Sequence, residues 1–329
     1  MAWRICPPRH TRKVAGAACV PASRAVLCAA MSIRLEMLQV ARLAPKILGP
    51  DATALVANFL RAQQNADGGF RDRQGTSDLY YTVFGLDALS ALQQPFDGER
   101  LRAYLQTFGD GGGLDFVHLC ALARVWAALG IETMPAGTKS SLPARLGTFR
   151  ARDGGFNSLP DKERGTAYSA FLGLAAYQDL RVPLPEPLEL VRSLKFLETD
   201  DGAWTNEVFG RGRMPVGATN STAAAVTVLR NLGQPINPAV GHWLLAQAHP
   251  PGGFFAVPGA PIPDLLSTAT ALHALAGLQF SFDAIQEPSL DFVDSLWTNE
   301  GGFHGNWADD HLDCEYTCYG LLALGHLSL

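Results

Sequence analysis

Charge is scarce in this 329-residue chain: Asp, Glu, Lys and Arg make up 17% of it, against 47% hydrophobic residues. That balance supplies ample apolar material for one large core. Basic residues are outnumbered 26 to 31, which argues against nucleic acid as a partner. The first thirty residues run the other way, with Arg4, Arg9, Arg12, Lys13 and Arg24 and no acid, so without them the net charge falls from −5 to −10. Cysteine is also sparse. Cys6, Cys19 and Cys28 lie in that leader, and Cys120, Cys314 and Cys318 are too few for a disulfide framework. No uninterrupted apolar run reaches membrane-spanning length, and Pro21, Ser23 and Arg24 break the leader's apolar stretch, making a poor secretory signal. Residues 1–30 are thus read as a disordered or transit-like leader, or as sequence preceding a true start at Met31. Residues 31–329 are read as one domain, cytoplasmic and reduced by default.

Strand signals are missing as well, and a repeat takes their place. GGFRDRQGTSDLYYTVFGLDALSAL, from Gly68 to Leu92, joins a Gly-Gly-aromatic turn, a polar loop and an Asp followed by a helix apolar on most sides. Weaker copies place inner helices from 78, 115, 165, 218, 264 and 313. Amphipathic outer helices precede them at 52–64, 97–107, 141–151, 187–198, 237–248 and 288–298. Pro143, Pro187, Pro238 and Pro288 fall near the expected outer-helix starts. A hairpin of this kind cannot bury its apolar faces alone, so repetition demands stacked neighbours. Six hairpins without strands predict an all-α fold, an α/α toroid (α6-α6 barrel), with an open superhelix as the alternative.

Polar residues concentrate where inner helices begin. Asp78, Asp115, Asp264 and Asp313 open helices, where Asp caps orphan N–H groups, and could also ring one mouth of a central pocket. Three positions on, Tyr81, His118, Tyr168, Ser221, Ser267 and Tyr316 form one face, read either as a polar pocket wall or as hydrogen bonding between helices. His118 with Asp78 and Tyr80 could approach a metal site, though a lone His there is more often a core residue. Arg211 and Arg213, in the long loop before the fourth inner helix, could clamp a diphosphate. Trp204, in the fourth turn, joins the candidate substrate-binding residues.

Phe59, Leu60, Gln64, Gly68 and Phe70 resemble the QW repeat of squalene–hopene-type terpenoid cyclases, found in looser form in protein prenyltransferase β subunits. The β subunits are the nearer likeness, through residues 68–75, Thr166 to Ser169, Pro263-Asp264 and Tyr316 to Tyr319. The resemblance implies an isoprenoid-handling enzyme that binds a prenyl chain or prenyl diphosphate. In that family zinc is held by Asp, Cys and His. Here Asp264 matches the Asp, but Leu266 and Tyr316 stand at the other two positions, so the standard zinc triad is not retained and no metal residue is assigned. Gly165, Ala218, Pro258 and Pro261 occupy the diphosphate-binding positions, with Arg164 one residue from the first. The cyclases' proton-donating Asp-x-Asp-Asp has its nearest counterparts at Asp264 to Ser267 and Asp313 to Tyr316. The second keeps Glu315 in the middle position. Asp264, Asp313 and Glu315 are therefore the catalytic candidates. Tyr81, His118, Arg164, Tyr168, Trp204, Arg211, Arg213 and Tyr316 are the substrate-binding ones. The expected partner is an apolar small molecule, with peripheral membrane contact possible and no α-subunit-like region in the chain. A terpene-cyclase-like enzyme and a non-catalytic toroid binding a lipid or protein are the alternatives.

Overall fold

Helix caps and buried aromatic turns decide where each element starts and how it packs. The computed structural model describes residues 31–208 and 214–329. The inner helices are α3 (Leu79–Ala91), α5 (Phe116–Leu129), α7 (Ala167–Asp179), α9 (Thr219–Asn231), α11 (Leu265–Gly277) and α13 (Cys314–Leu327). The outer helices are α2 (Pro45–Ala62), α4 (Gly98–Gln106), α6 (Ala136–Gly147), α8 (Pro187–Phe196), α10 (Ala239–Leu245) and α12 (Asp283–Leu296). Each inner helix packs on the next, and α13 returns onto α3. The ring is closed, so the fold is the all-α toroid expected from the repeat.

The inner helices start where side chains satisfy their first N–H groups. Asp78, Asp115, Thr166, Asp264 and Asp313 each accept the N–H three residues on, while Ala218 offers no side-chain cap. Such caps contribute about 1 kcal/mol apiece. In the third repeat the cap is Thr166 and not Gly165, one residue later than the sequence alignment placed it.

The Gly-Gly-aromatic turns carry the packing between hairpins. Phe70, Phe156, Phe254 and Phe303 are at most 1% exposed, and Trp204 is 4% exposed. Each forms an antiparallel bridge with a residue at the end of the preceding outer helix, such as Gln64 with Phe70. The backbone N–H groups of Phe70, Trp204 and Phe254 donate to Thr82, Thr222 and Thr268 on their inner helices, at 2.9, 3.0 and 2.9 Å. Burying one such ring stabilises the fold by about 1.5–3 kcal/mol. Strand structure is limited, among the described residues, to these bridges, a similar one between Phe254 and Asp264, and a ribbon pairing β1 (Phe70–Arg71) with β2 (Ser77–Asp78).

In most repeats the first turn glycine touches the outer helix of the next; Gly202, with open space around it, is the exception. A Cβ on Gly68 would lie 2.4 Å from the Arg100 carbonyl of α4, and one on Gly252 would lie against the Pro288 carbonyl of α12. Gly301, in the last repeat, meets Leu55 of α2 in the same way, at 2.4 Å from its carbonyl oxygen. This contact closes the outer ring. Arg73 fastens the same seam by bonding Asp309 at 2.9 Å and Asp313 at 2.8 Å.

Two further features depart from the sequence expectation. Pro143 and Pro288 lie inside α6 and α12, because those helices extend further toward their N-termini than the prolines suggest. A helix α1 (Ile33–Ala41), capped by Ser32, precedes the first hairpin. It lies across the C-terminal ends of the inner helices. Arg34 bonds Asp87 of α3 at 2.9 Å, Glu36 bonds Arg230 of α9 at 3.0 Å, and the Ile33 N–H donates to Gln178 of α7.

Candidate functional site

The inner helices surround a cavity of about 440 Å³, within the range of small-molecule sites. Its wall follows a rule set by the caps. The second residue after each N-cap faces inward: Tyr80, Val117, Tyr168, Asn220, Leu266 and Glu315. The face named from the sequence lies one residue further on, and one residue turns a helix by about 100°. Tyr81, His118, Ser267 and Tyr316 accordingly stand outside the wall, while Ser221 borders it. Tyr168 lies in the wall because Thr166, not Gly165, is its cap.

At the mouth Tyr168 is 40% exposed. Glu315 sits there half-buried, and the Tyr80 hydroxyl donates to its Oε1 at 2.6 Å. Burial pushes the Glu315 carboxyl up to about 7; Asp313 adds to the rise, while Tyr80 and Arg73 pull against it. Glu315 therefore keeps its proton up to about pH 7. Below it the wall becomes apolar and aromatic. Phe84 meets Tyr80 edge-on at 4.9 Å between ring centres and Tyr319 at 5.5 Å.

The far end is polar again and is closed by Met37, Leu38 and Ala41 of α1. Asp87 is gripped by Arg34 at 2.9 Å and by Arg124 at 2.7 Å. Burial alone would raise Asp87, but the two guanidinium groups hold it below its ordinary value. Asp179 has no such grip, and burial pushes it up to about 6. His273 shares a 3.0 Å hydrogen bond with His326, and burial lowers it to about 4, leaving it neutral. Cys120 and Cys318 also line the cavity as free thiols raised by burial, which makes them poor nucleophiles.

Of the other residues singled out in the sequence, Asp264 caps α11 and spends both oxygens on Ser267, through its N–H and hydroxyl, each at 2.7 Å. Asp313 caps α13, is 3% exposed and is bonded to Arg73. Arg73 also covers the Tyr316 ring, 5.4 Å from its centre. His118 joins two repeats, with Nε2 on Asp78 and Nδ1 on Asp115, both at 2.9 Å. The Asp78 bond, opposed by burial and reinforced by Asp115, raises it to about 9, so it is a charged clamp with both nitrogens engaged. Trp204 is buried in the turn, and its indole N–H donates to the Leu194 carbonyl at 3.0 Å. Arg164 stacks on Phe196 at 3.4 Å, in an outer groove away from the cavity. Arg211 and Arg213 lie outside the described residues. Of the catalytic and substrate-binding candidates among the described residues, the cavity brings together Glu315 and Tyr168.

Sequence reading passed over Arg124, Asp179 and His273. The signal was present: Asp87, Arg124 and His273 are all the ninth residue after their caps, a polar position in otherwise apolar inner helices.

Zinc does not fit the matching positions. Asp264 is the one carboxylate there and has both oxygens bonded to Ser267, Leu266 is apolar, and Tyr316 lies beneath Arg73. Among the described residues no group of three or more His, Cys, Asp or Glu is arranged to hold a metal ion. Nor is any helix among them long and apolar enough to cross a membrane.

Comparison with known proteins supports the architecture. No curated protein matches the sequence. Among solved structures, the type II terpene cyclase MstE from Scytonema in its apo form is similar at a TM-score of 0.56 and 14% identity, over 84% of this chain and 97% of that one. A variant of the same cyclase in complex with geranylgeranyl dihydroxybenzoate gives 0.55 and 14%, over 89% and 97%. A protein from Actinoplanes gives 0.55 and 18%, over 84% and 99%. At these identities the likeness shows the fold. The family model described as the prenyltransferase alpha-alpha toroid domain matches residues 35–131 and 216–328, and the chain belongs to that family.

Proposed function

We propose that the chain binds an isoprenoid in its central cavity and starts its cyclisation by protonating an alkene with Glu315. One observation carries this reading: a carboxylic acid that keeps its proton to about pH 7 faces an apolar, aromatic cavity and is oriented by a phenol. A general acid needs a proton to give at working pH and a fixed direction in which to give it. Burial provides the first and Tyr80 the second.

In this mechanism the Glu315 proton passes to one alkene carbon, and the π pair forms the new C–H bond, leaving a tertiary carbocation. The Tyr80 hydroxyl, already 2.6 Å from Oε1, stabilises the carboxylate that forms. Phe84 and Tyr319 line the cavity and supply aromatic rings to stabilise the cation as a second alkene attacks it. The last cation loses a proton to water, which ends the sequence, and Glu315 regains its proton from solvent at the mouth. Prenyl transfer would instead need cations to hold a departing diphosphate. Among the described residues near the cavity, Arg73, Arg124 and Arg230 are each paired with carboxylates, which favours the proton-initiated reading.

The test is incubation of the purified chain with geranylgeraniol, geranylgeranyl diphosphate and squalene in D₂O, followed by mass analysis. A cyclic product carrying one deuterium at the protonated carbon is expected, lost by at least a hundredfold in Glu315→Gln. Turnover that survives Glu315→Gln would refute the role of Glu315. Binding without turnover would leave a lipid-binding toroid.

A further inference from the structure

The closed end of the cavity contains a polar group without a partner. Asp179, the last residue of α7, is 6% exposed and borders the cavity, and its Oδ2 accepts no hydrogen bond. A buried acceptor left unsatisfied is costly, and most native ones are bonded. The contrast with Asp87 is direct: that carboxylate, at the same end, receives both Arg34 and Arg124. Asp179 therefore keeps free acceptor capacity beside a space enclosed by α1.

Charge selects the group that could use it. Arg34 and Arg124 carry two positive charges, and Asp87 and Asp179 balance them when both are ionised. An ammonium group would bring a third cation into this buried set, and a phosphate or carboxylate would face Asp179 as a like charge. A neutral hydroxyl satisfies the site in either state of Asp179, donating to the carboxylate or accepting from the acid. Asp179 follows Tyr168 by eleven residues on α7, which sets it about 16 Å below the mouth at 1.5 Å per residue. A group reaching it must lie at the far end of a long, slender, otherwise apolar molecule.

We propose that Asp179 is a specificity-determining residue for the hydroxyl of an isoprenoid alcohol, which enters the cavity hydroxyl first and leaves its distal alkenes near Glu315. This rests on the isoprenoid reading of the cavity and adds the chemical class and orientation of the ligand.

The experiment measures binding of geranylgeraniol, its methyl ether and the corresponding hydrocarbon to the full chain, by quenching of tryptophan fluorescence. Wild type should prefer the alcohol to the ether by about ten- to a hundredfold, as a hydrogen bond to a charged group implies. Asp179→Leu, similar in shape and unable to accept, should bind all three within about threefold of one another, and its retained hydrocarbon binding shows that the cavity is intact. If Asp179→Leu does not fold, Asp179→Ala serves, with the same loss of preference expected. Equal binding of alcohol and ether by wild type, or a preference that survives either variant, would overturn the assignment alone. Failure of all three probes to bind wild type would overturn the isoprenoid reading together with it.

Discussion

Replacing Glu315 by Gln tests the central feature of the site without any substrate. The unfolded chain ionises this carboxyl near its ordinary 4.5, whereas the folded protein holds it to about 7, chiefly through burial. Between those two values the folded state binds more protons than the unfolded one, so stability falls as pH rises from about 4.5 to 7 and then levels off. Taken at face value the shift corresponds to about 3 kcal/mol above pH 7, and the residual solvent contact of Glu315 brings the expected range to about 1–3 kcal/mol. Gln keeps the shape and the acceptor for the Tyr80 hydroxyl but never ionises. Near pH 4 the variant and wild type should melt together. At pH 8 the variant should melt about 2–5 °C higher, since each kcal/mol moves a domain of this size by about 1.5–2 °C. Thermal denaturation from pH 4 to 8 gives the comparison directly. A Tm difference that stays constant across that range would show that Glu315 ionises in the folded protein as it does in water, and the proton-donor role would fall with it.

Tyr80→Phe removes a bond that favours ionised Glu315, so the carboxyl should titrate about one to two pH units higher, read by ¹³C NMR of labelled glutamate; an unmoved or lowered value would contradict the geometry. The His118 clamp has the opposite sign: its contribution is complete below pH 6.5 and lost as pH rises through about 9. With the side chain 31% exposed, about 1 kcal/mol is expected, and His118→Gln should flatten Tm against pH in that window. Gly301→Ala should cost about 2–4 kcal/mol in urea unfolding, combining a positive φ of 91° with the clash on Leu55. Gly202→Ala, with a φ of 83° and open space around it, should cost only about 1–2 kcal/mol; equal losses would mean that Gly301 does not close the ring through contact.

The repeat was legible because its causes are local. A glycine turn, an aromatic, a capping Asp and an apolar helix each follow from a few adjacent residues, and their recurrence leaves a closed or stacked array as the way to bury them. Glu315 was also visible, from its place two residues after Asp313. The sequence left open which side of each inner helix faces inward, since helices apolar on most sides carry little directional signal; the face three residues after each start lies one residue past the inward one, and it includes Tyr168 because the alignment starts the third repeat at Gly165 in place of Thr166. Only the assembled ring showed that the second residue after each cap points to the cavity, which set Tyr80 beside Glu315 across 235 positions of sequence. The closed end depended on tertiary structure still more. Ser32, Ile33, Met37, Leu38 and Ala41 hold a helical pattern, but nothing local says that α1 lies across the inner helices. Asp87 gains two guanidinium groups there and Asp179 none, because burial and long-range pairing are properties of the packed chain.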